Sequence, residues 1–137
     1  LQAAVLDIKL KYLDDFAARR RAVADYYDAA FKGISTIKTP VRGTNSTHVF
    51  HQYTMLLNNV NRDDVRKKLA DKGVPSMIYY PIPLHMQKAY RDERYKEGMF
   101  PVTEQLCKSV LSLPIHTEFE KDELEFIVDA VKEVVAD

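Results

Sequence analysis

Cysteine and glycine are scarce in this chain, and each scarcity excludes a class of protein. The single cysteine, Cys107, cannot form an internal disulfide or build a thiolate metal site by itself. Four glycines in 137 residues leave little material for the glycine-rich loop that cradles phosphate in nucleotide-binding domains. Because a single cysteine fits a reducing compartment, we expect a cytoplasmic protein.

Net charge and long apolar runs are also lacking. The 20 basic and 20 acidic side chains cancel, so no global field attracts nucleic acid or an anionic membrane surface. No apolar run approaches the roughly 18 residues of a membrane span, and no basic-then-apolar leader is visible. We therefore expect neither nucleic acid nor a membrane as a partner.

The residues that are present predict one α+β domain that begins with a long helix. Helix formers without proline or glycine extend from Leu1 to about Phe31 and place apolar residues on one broad arc. The chain opens with neither a start methionine nor an N-cap, so we expect this helix to begin inside a longer protein. Its Leu1 end and part of the sheet should then expose apolar surface.

Strands and helices alternate after this helix, with residues 35–45 expected as a loop. β-branched and aromatic residues predict about three strands, the first of them central. These strands are residues 46–57, 76–80 and 110–113. The expected helices are residues 62–72, 84–90, 101–108 and a last one capped by Thr117 or Asp122. This order predicts a small, mostly antiparallel sheet with helices packed on one face.

Polar-tipped rings cluster in residues 77–87, MIYYPIPLHMQ. Tyr79 and Tyr80 at a strand end, two stiffening prolines and then His85 could hold three rings in a fixed array. Such rings suit sugar recognition, because phenols hydrogen-bond, ring faces cover apolar sugar faces and imidazole can meet a phosphate or carboxylate. The same residues also suit core tyrosines in an edge strand with a capping or exposed His85. Residue types leave both interpretations open.

Other chemistry-bearing residues predict no further site. His48 and His51 lie three apart in an expected strand, so they point to opposite faces and cannot chelate one ion without a bulge. We expect no metal site. The arginines at 19–21 spread round a helix and form no basic stripe for nucleic acid. No local serine-histidine-acid or cysteine-histidine motif is visible, so no catalytic residue is assigned.

Four segments, taken in order, resemble one family of enzymes. They are LQAAVLDIKLKYLDDFAARRRAVADYY, VFHQYTMLL with NRDDVRKKLADKGVPS, YYPIPLHMQKAY, and LSLPIHTEF followed by an acidic helix. The first resembles the helix after the intersubunit loop of the DegT/StrS sugar aminotransferases, and the third resembles that family's most distinctive C-terminal motif. Together the segments cover nearly the whole chain.

The resemblance implies the aspartate-aminotransferase fold, with residues 1–137 as the C-terminal small domain. Pyridoxal phosphate would be held by a lysine of a large domain upstream, so this chain alone is expected to be inactive. The full-length enzyme would be a homodimer that moves an amino group from glutamate to a nucleotide-linked keto sugar, for amino-sugar or surface-polysaccharide synthesis. Tyr79, Tyr80 and His85 match family positions beside the sugar-nucleotide pocket, so the resemblance implies that they bind substrate.

Two alternatives stay open. A stand-alone α+β ligand-binding or regulatory module would have a self-capped first helix and no exposed apolar face. A family member acting as a dehydratase or regulator would differ at the upstream cofactor position, where lysine marks a transaminase and histidine a dehydratase. Family members that act on nucleotide-linked uronic acids can have histidine at the position of Tyr79. Tyr79 departs from that pattern, so the resemblance does not assign the sugar.

Overall fold

An antiparallel sheet organises the chain, whose residues 1–136 are described by a computed structural model. Its strands are β1 (Ile37–Lys38), β2 (Tyr53–Leu57) and β3 (Val110–Leu113). β2 is central, pairing antiparallel with β1 on one side and with β3 on the other. The expected α+β class, the antiparallel sheet and its central strand are confirmed.

Helices cover the sheet and supply the core. Within residues 1–136 they are α1 (Gln2–Leu10), α2 (Leu13–Ala30), α3 (Arg62–Asp71), α4 (Pro101–Ser109) and α5 (Lys121–Ala136). Tyr53, Met55 and Leu57 alternate along β2 and are buried, as a strand with one face on a core requires. Buried apolar side chains of α2, α3 and α5 belong to the same cluster, so these three helices hold the core face of the sheet.

The expected single helix over residues 1–31 is divided by a turn. At this turn the Tyr12 N–H donates to the Lys9 carbonyl over 3.0 Å, a tighter spacing than the α-helical one. None of the residues of α1 is buried, whereas α2 buries Val23, Ala24 and Tyr27. Since tertiary packing supplies most helical stability in proteins, α2 is the part of the expected helix that the described core stabilises.

Apolar side chains near the start of α1 are exposed, as expected. Val5, Ile8 and Leu10 expose 51%, 63% and 66% of their surface. The sheet does not share this feature, because its apolar residues are buried or half-buried. Exposed apolar side chains are therefore present on the first helix but absent from the three strands of the sheet.

The strand bounds differ from the expected ones at three places. Residues 46–52 are not in β2, because Phe50 has a positive φ of 47° that turns the chain just before the strand. Of residues 76–80 only Met77 pairs, with Ser112, since α4 ends directly before β3 and Pro114 follows it. β1 lies in the expected loop over residues 35–45. Two paired residues are too few to show a pattern in sequence.

Two of the expected helices also differ. Residues 84–90 form two 3-10 turns, Leu84–Met86 and Lys88–Tyr90, because Gln87 between them is extended. α5 begins at Lys121, so the capping position directly before it is Glu120 and not Thr117 or Asp122. The Glu120 N–H instead donates to the Glu123 carboxylate over 2.9 Å, which satisfies one donor at this helix end.

The start of α3 offers a measurement of local stability. The Asn61 side chain accepts hydrogen bonds from the backbone N–H groups of Asp63 and Asp64, at 2.9 and 3.2 Å. Replacing Asn61 by alanine should lower the free energy of unfolding in urea by about 1 kcal/mol. Asn58→Ala, in the turn before the helix, is the control and should change it by less. Equal effects of the two substitutions would contradict the capping role.

Candidate functional site

The tyrosine pair of the 77–87 segment extends from the edge of the sheet. Met77 is fixed to β3 by two backbone hydrogen bonds with Ser112, at 3.0 and 2.8 Å. Tyr79 and Tyr80 follow, with a cis peptide bond between them and their rings edge to face at 6.0 Å. They expose 41% and 71% of their surface. The interpretation of the two tyrosines as core aromatics is therefore wrong.

Tyr79 lines a small cleft that sequence reasoning missed. The cleft has a volume of about 230 Å³ and also contains His51 and Gln52, which immediately precede β2. The order of the strands brings these two residues beside the 77–79 segment. No local sequence signal could have found this neighbourhood, because it depends on Met77 pairing with Ser112.

Two prolines direct the chain from the tyrosine pair into the turn that carries His85. Pro81 and Pro83 have no N–H to donate, so strand pairing cannot continue through them. The Gln87 side chain donates to the Ile82 carbonyl over 3.2 Å and closes this bend on itself. His85 follows in the first 3-10 turn with a side chain only 9% exposed.

His85 contacts groups other than the tyrosines. Its Nε2 lies 3.2 Å from the Glu104 carboxylate, and its ring centroid lies 4.8 Å from that of Phe100. The expected array of three rings is therefore divided into an exposed tyrosine pair and an inward-held imidazole. The reason is that the turn after Pro83 faces the start of α4, which carries both partners.

Glu104 is the polar residue at this site that sequence reasoning missed. Its carboxylate accepts the backbone N–H groups of Gly98, at 2.9 Å, and Phe100, at 3.2 Å. Burial opposes ionisation, but these donors and His85 outweigh it, so the pKa of Glu104 is lowered. Stability from this group is therefore lost as the pH falls through its lowered pKa. The sequence signal that could have pointed to Glu104 is an acidic residue in the first turn of the helix that begins at Pro101.

The remaining candidate residues from the sequence are His48, His51 and Cys107. His48 Nδ1 accepts the Phe50 N–H over 2.9 Å, and both His48 and His51 are exposed. Among residues 1–136, no group of three or more histidine, cysteine, aspartate or glutamate side chains is arranged to hold a metal ion. Cys107 is half-buried. No helix of the described residues combines the length and apolar character needed to cross a membrane.

One family model matches residues 1–132, and its description is the DegT/DnrJ/EryC1/StrS aminotransferase family. The chain belongs to this family. It is 37% identical over 132 residues to the erythromycin biosynthesis sensory transduction protein EryC1 of Saccharopolyspora erythraea, covering 96% of the chain and 36% of EryC1. It is 36% identical over 133 residues to the dTDP-3-amino-3,4,6-trideoxy-alpha-D-glucose transaminase of Streptomyces venezuelae, covering 97% of the chain and 35% of that enzyme.

Solved structures agree with the family and with the fold. DesV of S. venezuelae superposes with a TM-score of 0.92 at 35% identity, over 99% of this chain and 36% of DesV. NtdA of Bacillus subtilis, solved with bound cofactor PMP, has a TM-score of 0.79 at 29% identity, over 93% of this chain and 30% of NtdA. The family includes nucleotide-sugar transaminases, and the chain spans about a third of the length of these relatives.

Proposed function

We propose that residues 1–137 form the C-terminal small domain of a pyridoxal-phosphate sugar aminotransferase. In this proposal the longer protein moves an amino group from glutamate to a nucleotide-linked keto sugar, as a cytoplasmic homodimer that supplies amino-sugar or surface-polysaccharide synthesis. The observation that carries it is 36% identity to a dTDP-sugar transaminase over 97% of the chain. The exposed pair Tyr79 and Tyr80, which follows Met77 at the edge of the sheet, supports a ligand-binding role for this edge.

The lysines of this chain do not fit a cofactor site. A lysine that forms a Schiff base is commonly desolvated, because burial lowers the pKa of its ammonium group. Every lysine of the chain is instead exposed. We therefore assign pyridoxal phosphate to the large domain of the longer protein. PMP, pyridoxal phosphate's amino form, is the cofactor named for NtdA.

Tyr79, Tyr80 and His85 are proposed as substrate-binding residues. The phenols can donate and accept hydrogen bonds with sugar hydroxyls, and their exposed faces can cover the apolar side of a sugar ring. His85 presents a second kind of group, an imidazole whose one nitrogen is already engaged by Glu104. The three residues would then bind and orient the nucleotide sugar without taking part in bond making.

Features of α1 favour this proposal over a stand-alone module. Such a module requires a self-capped first helix without an exposed apolar face. In α1 the apolar residues Val5, Ile8 and Leu10 are instead exposed. Exposed apolar side chains such as these suit burial against further protein. A regulator remains the second candidate, because EryC1 carries a sensory-transduction name. The residue at the upstream cofactor position, lysine or histidine, separates a transaminase from a dehydratase.

Substitutions in the full-length protein test the substrate site. We expect Tyr80→Phe and His85→Ala to raise the KM for the nucleotide sugar about threefold and tenfold, because each removes a hydrogen-bonding group from bound substrate. The KM for glutamate and the absorbance of bound cofactor should stay unchanged. Steady-state assays with dTDP- and UDP-linked keto hexoses measure both constants.

Tyr90→Phe is the matched control, since Tyr90 is an exposed tyrosine ten positions beyond Tyr80. Its kinetic constants should equal those of the wild type. Wild-type KM values for the sugar in both Tyr80→Phe and His85→Ala would refute the site assignment. Loss of bound cofactor in either variant would also count against it.

A further inference from the structure

A buried carboxylate connects the turn that carries His85 with the loop before α4. The side chain of Glu104 is 11% exposed, and that of His85 is 9% exposed. Both Glu104 oxygens lie 2.9 Å from the Gly98 nitrogen, and one also lies 3.2 Å from the Phe100 nitrogen. His85 Nε2 completes the set at 3.2 Å. One carboxylate therefore serves two backbone donors and one imidazole.

This set of partners determines which nitrogen of His85 carries a hydrogen. Backbone N–H groups can only donate, so they stabilise the ionised, accept-only form of Glu104. An ionised carboxylate has no proton to give to an imidazole. The nitrogen facing it, Nε2, must therefore be the donor, which leaves Nδ1 as the ring nitrogen for a ligand. Neutral Nδ1 accepts from a hydroxyl, and protonated Nδ1 donates to an anion.

Phe100 restrains the same ring from a second direction. Its ring lies 4.8 Å from that of His85, and its own backbone nitrogen is bound by Glu104. Tyr95 packs on Phe100 in turn, with ring centroids 5.8 Å apart. The orientation of the imidazole thus depends on the loop that ends at Phe100, and this loop depends on Glu104.

We propose that Glu104 is a positioning residue, which fixes the ring orientation and the Nε2–H form of His85 so that Nδ1 meets the nucleotide sugar. The identity of the ligand rests on the proposed function. The geometry of the Glu104 and His85 pair does not, so the two can be tested separately. Glu104 itself does not contact substrate in this proposal.

The first experiment uses the 137-residue chain and needs no substrate. An imidazole N–H in water exchanges too fast to give a proton resonance, whereas one held by a buried carboxylate is protected. We expect a His85 Nε2–H signal in nitrogen-proton NMR spectra of the wild type, assigned by its loss in His85→Ala. We expect the signal to disappear in Glu104→Gln and to persist in Glu125→Gln, which removes an exposed carboxylate from α5.

Either of two results overturns the positioning role. One is the absence of this signal from the folded wild-type chain, a measurement that stands even where Glu104→Gln does not fold. The other is an unchanged signal in folded Glu104→Gln. Because neither result involves transamination, failure of the positioning role is distinguishable from failure of the proposed function.

The second experiment uses the full-length holoenzyme and a double-mutant cycle. Glu104→Gln should raise the KM for the nucleotide sugar by about fivefold, with kcat and the KM for glutamate near wild type. Combined with His85→Ala, it should add nothing, since a residue that acts through His85 has no effect without it. If the KM of the double variant rose by the product of the two single increases, Glu104 would act by another route, and the proposal would be overturned.

Discussion

Replacing Tyr27 by alanine should lower the free energy of unfolding of the chain by about 4 kcal/mol. Tyr27 is fully buried between α2 and the sheet, with its ring 4.9 Å from that of Tyr53 and 5.8 Å from that of Phe31. Its hydroxyl donates to the Pro114 carbonyl over 2.9 Å. Alanine would open a large cavity at this contact and leave that carbonyl without its partner. Urea denaturation followed by circular dichroism measures the loss.

Tyr27→Phe separates the ring from the hydroxyl. It keeps the packing and removes one hydrogen bond, so we expect a loss of about 1 kcal/mol. The difference between the two variants then reports the ring alone. If alanine were no more destabilising than phenylalanine, Tyr27 would not be central to the packing of α2 on the sheet.

Replacing Arg62 by methionine should cost about 3 kcal/mol, which is large for a residue outside the apolar core. Arg62 is 7% exposed, and its Nη1 donates to the Cys107 and Val110 carbonyls at 3.0 and 3.1 Å. These carbonyls lie at the end of α4 and the start of β3. Methionine keeps the stem of the side chain but leaves both carbonyls unpaired.

Asp63→Asn is the control for the charge of Arg62. The Arg62 Nε lies 2.8 Å from Asp63, but the Asp63 side chain is 71% exposed, so water screens this pair. We expect a change below about 1 kcal/mol in Asp63→Asn. An effect as large as that of Arg62→Met would assign the stability to the ion pair and not to the two carbonyls. The urea midpoints of the two variants, compared at the same dependence of unfolding free energy on urea concentration, decide between the ion pair and the carbonyls.

Long periodic segments of the fold could be predicted from sequence, and short paired ones could not. The apolar arcs of α2 and α5 and the β-branched and aromatic residues over positions 46–57 are local patterns, so the α+β class followed from them. β1 was not predicted, because two residues are too few to show an alternating pattern. The strand predicted over residues 76–80 was too long, because Pro114 and α4 limit the length of its partner strand, β3. The break at Tyr12 had no sequence mark either. It separates α1, which buries no residue, from α2, which packs on the core.

The candidate site was predictable only as a motif. Rings and prolines made residues 77–87 conspicuous, yet the division between the tyrosine pair and His85 depends on contacts made across the fold. Glu104 lies 19 positions from His85 and is brought to it by the start of α4. His51 reaches the Tyr79 cleft through the order of the strands. Such neighbourhoods require the tertiary structure, because no local pattern encodes them.

Transfer of the glutamate amino nitrogen tests the central claim most directly. The full-length protein, loaded with pyridoxal phosphate, is incubated with glutamate labelled at that nitrogen and with dTDP- or UDP-linked keto hexoses. Mass spectrometry should find the label in the amino sugar, together with an equal amount of 2-oxoglutarate. A loaded protein that leaves every keto sugar unlabelled, or that converts the sugar by loss of water alone, would contradict the assignment of this chain to a sugar aminotransferase.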